Sequence, residues 1–412
     1  MADQTTTIIK GWKMTPLGEM GVAITGKTPS KDNPSDWGDF LDFITPTDIV
    51  SDSKYLNNVA RKLSEDGANR FKKMIIPPKS VVVTCIGSDM GKVVMNRNEA
   101  LTNQQINSIK INSKNDKDYI FYLLKNSYTI LRNIAVGGST MPILNKTTFE
   151  SLEFLTAPLT EQRAIAAVLS SLDDKIELLR EQNKTLEATA QAIFKEWFVN
   201  FNFPGATGKT IDSELGKIPE GWRVGNLTEL FDFIKGIEPG SHNYSVKKLS
   251  EDYLPFYRVQ DTLNYNKTPN VFVDKRILNG KIFKKDDILI SLDGTIGRIF
   301  IGASGGYSSG IRKVVGKESF ISKFLIFCFL KSDKFQGELN SFAGAETTIK
   351  HAGGAIEHIK FVFEKSICEE FGKITNPLFQ KMVFNNFQIQ TLSTLRDLLL
   401  PKLMKGELRV KI

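Results

Sequence analysis

The pattern of apolar and polar positions predicts two long helices among shorter β-rich segments. From Thr160 to about Asn200 the chain has no proline or glycine. Within that stretch Leu172, Ile176, Leu179, Asn183, Leu186, Ala190, Ile193 and Trp197 recur at alternating spacings of four and three. This is a heptad seam, and at 1.5 Å per residue it predicts a helix of roughly 60 Å. Pro158-Leu-Thr160 supplies the start signal, with Thr160 as N-cap and Arg163 at the capping-box partner position. Asn183 reads in two ways, as a seam amide that fixes register or as an exposed residue slightly out of phase. A noisier seam runs through Leu378, Met382, Asn385, Ile389, Leu392, Leu399 and Leu403. Pro377 and Pro401 predict a second helix that is shorter or kinked.

The β-rich segments occur twice. Residues 81–84 and 93–95, and again 288–291 and 299–301, are rich in Val and Ile and are joined by glycine turns. Gly11-Trp12-Lys13 returns as Gly221-Trp222-Arg223, and Gly87 and Gly91 face Gly294 and Gly297. KDYIFYLLK (117–125) faces KFLIFCFLK (323–331), identical at five of nine positions, and Thr185-Leu186 faces Thr391-Leu392. An offset near 206, half of 412, aligns the whole chain with itself. Each copy runs in one order: β segments, an aromatic helix or strand, a polar glycine-containing loop (136–141; 343–348) and a long helix. Residues 198–223 carry no periodic pattern and read as a linker. The expected fold is α+β, with two homologous globular α/β domains separated by two long helices. Those helices form an antiparallel coiled coil, and the duplication implies pseudo-two-fold symmetry. The boundaries are 1–157, 158–202 for the first helix, 203–364, and 365–412 for the second.

Composition adds limits. With 41% hydrophobic and 24% charged residues the chain can bury sizeable cores. The start MADQTTT lacks a secretory pattern, and no apolar run approaches a membrane span. Three scattered cysteines argue for a reduced, cytoplasmic protein. The net charge of +8 invites a polyanion partner, but it sits in the second copy: residues 1–206 carry 24 basic against 23 acidic side chains, and 207–412 carry 30 against 23. Catalytic motifs are not found. Gly87-Ser-Asp-Met-Gly91-Lys92 is one residue short of a P-loop, and the lone Pro77-Pro78 is no methyltransferase motif. His242, His351 and His358 lack companions at metal spacing, and Asp286-Asp287 reads as a turn. A non-catalytic chain without metal or cofactor is expected.

At this point the chain resembles the specificity subunit of type I restriction–modification systems. The resemblance rests on the two-unit layout, Ile218-Pro-Glu-Gly-Trp222, Pro158-Leu-Thr-Glu-Gln-Arg163-Ala-Ile-Ala166, Leu186-Glu-Ala-Thr-Ala-Gln-Ala-Ile-Phe-Lys-Glu-Trp-Phe198 and Leu400-Pro-Lys-Leu-Met-Lys-Gly-Glu-Leu408. The second copy departs from it at Glu364-Lys-Ser-Ile-Cys-Glu-Glu-Phe371, which leaves the start of its helix open. The resemblance implies two target-recognition domains, each reading half of a split, asymmetric site in double-stranded DNA. It implies helices that set the spacing and dock two methyltransferase subunits, with nuclease/translocase subunits completing the complex. S-adenosylmethionine, ATP and magnesium would belong to those partners.

Base reading favours Arg or Lys on guanine and Asn or Gln on adenine. Polar stretches offer Asn103, Gln104 and Gln105 opposite Ser308 and Ser309, and Thr45 and Thr47 opposite Arg258 and Gln260. The competing reading of each is a hydrogen bond that satisfies its own loop. Lys27, Arg70, Lys72, Lys73, Lys247 and Lys248 are candidate phosphate contacts, as are Lys92 and Arg298 beside the glycine turns. Trp197, Phe198, Phe201 and Phe203 form an aromatic cluster expected to bury against a head or a methyltransferase subunit. The rival function is a duplicated coiled-coil scaffold without DNA readout.

Two heads on one duplex would contact it about one helical turn, ~34 Å, apart. Four residues inserted near 186–189 add about 6 Å of helix. The spacer in the methylated motif is expected to lengthen by about one base pair with both half-sites unchanged. An unchanged spacer would show that the helix is not the ruler.

Overall fold

The structure, a computed structural model, describes residues 9–49, 52–87, 90–134, 143–264, 268–342 and 350–411. The polar loops 136–141 and 343–348 lie outside the described residues. The chain forms two compact units, Met1–Lys175 with Leu395–Ile412, and Ile176–Thr394.

In the first unit a four-stranded antiparallel sheet has the order Gly21–Thr25, Ile106–Ile111, Val81–Thr84, Val93–Met95. A second sheet has the order Trp37–Gly38, Arg61–Leu63, Leu41–Ile44, Ala100–Thr102, and its last two strands run parallel. Lys13–Pro16 pairs with Glu153–Thr156. Val81–Thr84 is buried on both faces. Val81 and Val83 join the core under the helices, whereas Val82 faces a cluster with Ile44, Val94 and Ile106. The two-residue period of a strand thus feeds two cores at once.

The second unit repeats this plan. Its sheets run Phe231–Lys235, Ile311–Gly316, Ile288–Ser291, Ile299–Phe300, and Phe272–Asp274, Tyr253–Tyr257, Gly305–Tyr307, Ile282–Phe283. Tyr253–Tyr257 again runs parallel to Gly305–Tyr307, and Arg223–Asn226 pairs with Lys360–Phe363. Ile288 and Ile290 face one core and Leu289 the other. The aromatic segments, open between helix and strand on sequence, are the helices Lys117–Asn126 and Lys323–Lys331. Asp116 and Ser322 cap them by accepting from the backbone N–H groups of Tyr119 and Leu325. The segment read as a linker holds a hairpin, Thr210–Ser213 with Gly216–Pro219, in which Ile211 faces Ile218.

The long helices are Leu159–Phe198 and Lys365–Met404, 40 residues each. Thr160 is therefore not the N-cap. The Gln162 N–H donates to Pro158 O at 2.9 Å, which sets Thr160 inside the first turn. The second helix starts at Lys365 and is not shortened by its prolines. Pro377 is exposed, so the carbonyl it leaves without a donor can turn to water, and Pro401 lies in the last turn. The helices run antiparallel within each unit. In the first, Glu161 meets Arg409 and Asp173 meets Arg396. In the second, Asn183 meets Asn386 and Trp197 meets Phe371.

Of the seam residues, Ile176, Leu179, Ala190, Trp197 and Ile389 are buried, while Leu172, Leu186, Ile193, Leu392 and Leu399 are half-buried. Asp173, Phe194, Arg396 and Leu400 take the deeper places beside them. A straight helix drifts about 20° per heptad from a 3.5-residue repeat, so a fixed heptad reading slips by one position. Asn183 is a seam amide. It donates to Asn386 Oδ1 at 2.7 Å and accepts from Asn385 Nδ2 at 2.9 Å.

Asp173 and Arg396, about 4% and 3% exposed, pair at 2.6 Å, and the Tyr122 hydroxyl donates to the same carboxylate at 2.7 Å. Burial opposes the guanidinium's charge, but Asp173 and Asp397 outweigh it and raise its pKa. At the matching positions of the second unit stand Phe379, Ala190 and Cys328, all buried in one apolar core. Arg396→Met would leave an unpaired buried carboxylate and is expected to cost about 3–5 kcal/mol in urea unfolding of the full chain. Adding Asp173→Leu and Tyr122→Phe should recover most of it. A single variant as stable as wild type would show that the pair contributes nothing.

Near this pair Lys125 Nζ is enclosed and makes no hydrogen bond with the described residues. Burial, then Arg396, lowers its pKa to about 8 from the usual 10.5. Between those values the unfolded chain binds more protons, so stability should rise with pH through that window. Measured against Lys125→Met from pH 7.5 to 10, the wild type is expected to gain. Parallel curves would contradict the shift.

Candidate nucleic-acid interface

In each unit strands of both sheets end along one shared edge. In the first unit Leu41–Ile44 and Ala100–Thr102, being parallel, release residues 45–48 and 103–105 side by side, and Asn103 N–H donates to Ile44 O. Gly21–Thr25 releases residues 26–30 at the same edge. Residues 85–87 leave there too, with Cys85 N–H donating to Gln105 O. The second unit repeats the join: Ser308 N–H donates to Tyr257 O, and Ile237 N–H to Tyr307 O. A methyl group on Gly26 would lie 1.8 Å from Thr102 O, and on Gly236 2.2 Å from Ser308 O. Only glycine lets the backbones approach this closely. The edge is one backbone device built twice.

Its side chains differ. In the first unit Gln104 Oε1 accepts from the N–H and the hydroxyl of Thr28, at 3.2 and 2.7 Å. In the second, Glu238 Oε1 accepts from the N–H and the hydroxyl of Ser309, at 3.0 and 2.6 Å. The same two loops are latched together with donor and acceptor exchanged. Sequence reasoning missed Thr28 and Glu238. Gly26-Lys-Thr-Pro29 and Gly236-Ile-Glu-Pro239 align at an offset of 210 and carried the signal.

Lys27, Thr47, Gln104 and Gln260 are exposed at these edges, and Ser309, Lys92 and Arg298 are half-buried there. Asn103 makes the hydrogen bonds of its own loop. It is buried, its Oδ1 accepts from Gln105 N–H, and its amide nitrogen donates to Gln105 Oε1, so the two satisfy each other. Ser308 is buried as well and joins strands through its backbone. Thr45 serves its turn, its N–H and hydroxyl donating to Asp48 Oδ2 at 2.8 and 2.6 Å and its oxygen touching Thr47 Oγ1. Arg258 does likewise, with N–H and Nε on Asp261 Oδ2. The Gln260 amide, oriented to accept, takes Arg258 Nη2 at 2.8 Å.

The remaining candidates lie on other segments. Arg70 Nε sits 3.3 Å from the buried Asp36 carboxylate, and Lys72 and Lys73 are exposed in the next turn. Lys247 and Lys248 lie near the edge strand Phe272–Asp274, with Lys248 on Glu251 at 2.8 Å. Trp197 and Phe198 are covered by their own unit, where Phe198, Phe201 and Phe203 ring Trp222 at 5.0–5.7 Å.

A model of the type I restriction modification DNA specificity domain matches residues 9–188 and again 219–363. The chain belongs to this specificity family. It is 28% identical over 419 residues to the type I restriction enzyme MjaIX specificity subunit of Methanocaldococcus jannaschii, covering 98% of this chain and 95% of that one. It is 38% identical over 149 residues to the HindI specificity subunit of Haemophilus influenzae, covering 36% of this chain and 32% of the other. A type I restriction–modification S subunit from M. genitalium shares the fold, with TM-score 0.54 at 18% identity over 95% of this chain and 96% of that one.

Within this specificity-family chain the Pro158-Leu-Thr-Glu-Gln motif joins head to helix. Glu161, about 1% exposed, accepts from Trp12 Nε1 and Arg409 Nη2, both at 2.9 Å. Gln162 Oε1 accepts from Asp116 N–H, and its amide nitrogen donates to Asn115 Oδ1 and Ala157 O. No helix among the described residues is long and apolar enough to cross a membrane.

Proposed function

We propose that this chain is the DNA-reading, non-catalytic member of a type I restriction–modification complex. Each head reads one half of a bipartite, asymmetric site through its loop edge. The helices set the spacing and dock two methyltransferase subunits, and nuclease/translocase subunits join them. S-adenosylmethionine, ATP and magnesium act in those partners.

One observation carries this reading. The two edges share a backbone, down to Gly26 and Gly236, but present different hydrogen-bonding groups. Such an edge suits a duplex whose two half-sites have the same shape and different base edges. A protein scaffold has no need for it.

Methylome sequencing of a host expressing the chain with its methyltransferase subunits is expected to show adenine methylation at one split motif. Affinity of the complex for duplex DNA should fall steeply with salt as displaced counterions are released. Methylation without a two-part motif, together with salt-independent binding, would favour the scaffold reading.

A further inference from the structure

We propose that Glu238 is a base-reading residue of the second head and selects cytosine. The proposal rests on the assignment of these loop edges to DNA. Glu238 is exposed, and its Oε1 holds both the N–H and the hydroxyl of Ser309. These two bonds fix the carboxylate and leave Oε2 without a hydrogen bond from the described residues. The Ser309 hydroxyl has already committed its proton and offers only lone pairs. At this point the second head therefore presents acceptors alone.

A carboxylate beside DNA is repelled by every phosphate, so it cannot serve to position the backbone. It gains only where it meets an exocyclic amine. In the major groove cytosine presents its N4 amine and no acceptor, whereas adenine sets N7 beside its N6 amine. An acceptor-only pair is repelled by that N7, and cytosine is the base it fits.

The first head presents the opposite group. Gln104 has committed its oxygen to Thr28, which leaves its N–H₂ pair to face outward. A glutamine held this way cannot pair bidentately with adenine, because that pairing needs the oxygen for N6. One latch thus shows donors in one head and acceptors in the other.

The test compares methylated motifs from the complete methyltransferase complex carrying wild type, Glu238→Gln or Gln104→Glu. Glutamine at 238 can keep the latch through its amide oxygen but turns N–H₂ outward. One cytosine position in one half-site should shift toward guanine or thymine, with discrimination changed on the order of ten- to a hundredfold. The other half-site should stay fixed, which also shows that the variant folds. Gln104→Glu should alter that other half instead, toward cytosine. A Glu238→Gln motif identical to wild type overturns the proposal, as does a half-site with no cytosine at the altered position. A wild-type complex that methylates without any bipartite motif overturns the DNA reading beneath it.

Discussion

Asp173 and Arg396 are both removed from water, and each charge is tolerable only because the other is there. Desolvating either alone would cost several kcal/mol, and their contact repays that cost only when the remaining hydrogen-bonding sites are filled. Tyr122 and Asp397 fill them. The pair joins three segments far apart in sequence: the first long helix, the C-terminal part of the second, and the aromatic helix of the first head. The first unit therefore includes Leu395–Ile412 in its compact body. Without those residues Asp173 and Glu161 would both be buried carboxylates without their hydrogen-bonded arginine.

The second copy meets the same packing demand by other means. Where the first has Trp12, Glu161 and Arg409, the second has Trp222, Ile367 and Phe203, with the Phe203 and Trp222 rings 5.0 Å apart. Where the first has Asp173, Arg396 and Tyr122, the second has Phe379, Ala190 and Cys328. An ionic joint needs all its members at fixed geometry, whereas an aromatic joint gains roughly in proportion to the area it buries. The unusual entry at Glu364 fits this: Ile367 stands where Glu161 stands, and Phe203 where Arg409 stands. A departure from the family pattern is thus a change of chemistry at one joint, with the helix itself retained.

This explains what the sequence disclosed and what it withheld. The duplication, the paired β segments and both long helices were legible because offset and period are local or repetitive properties. Asn183 was legible only as one of two readings, because its partners Asn385 and Asn386, which decide for the seam, lie about 200 residues away. Thr160 looked like an N-cap because its type suits that place, yet the helix starts two residues sooner than that cap implies, at Leu159, with Pro158 O accepting its first bond. Pro377 suggested a break that exposure on the solvent face makes tolerable. Asn103 and Ser308 had residue types suited to base contact, but the parallel strand pair draws both into the sheet. Burial of a loop residue depends on which strand lies beside it, and one-dimensional pattern does not contain that.

The loop edges carry the same logic toward function. The contacts that hold each edge together are made by backbone and by glycine, so they do not constrain which side chains are displayed. Thr28 with Gln104, and Glu238 with Ser309, close the same gap with opposite polarity at similar distances. The latch is therefore satisfied whichever loop supplies the acceptor, and the group left facing outward is free to change without unfolding the head. Because the buried joints differ between the copies while the edges share a backbone, stability and displayed chemistry vary on separate residues. A chain made of one unit written twice can in this way hold two heads of common architecture that offer different hydrogen-bonding patterns.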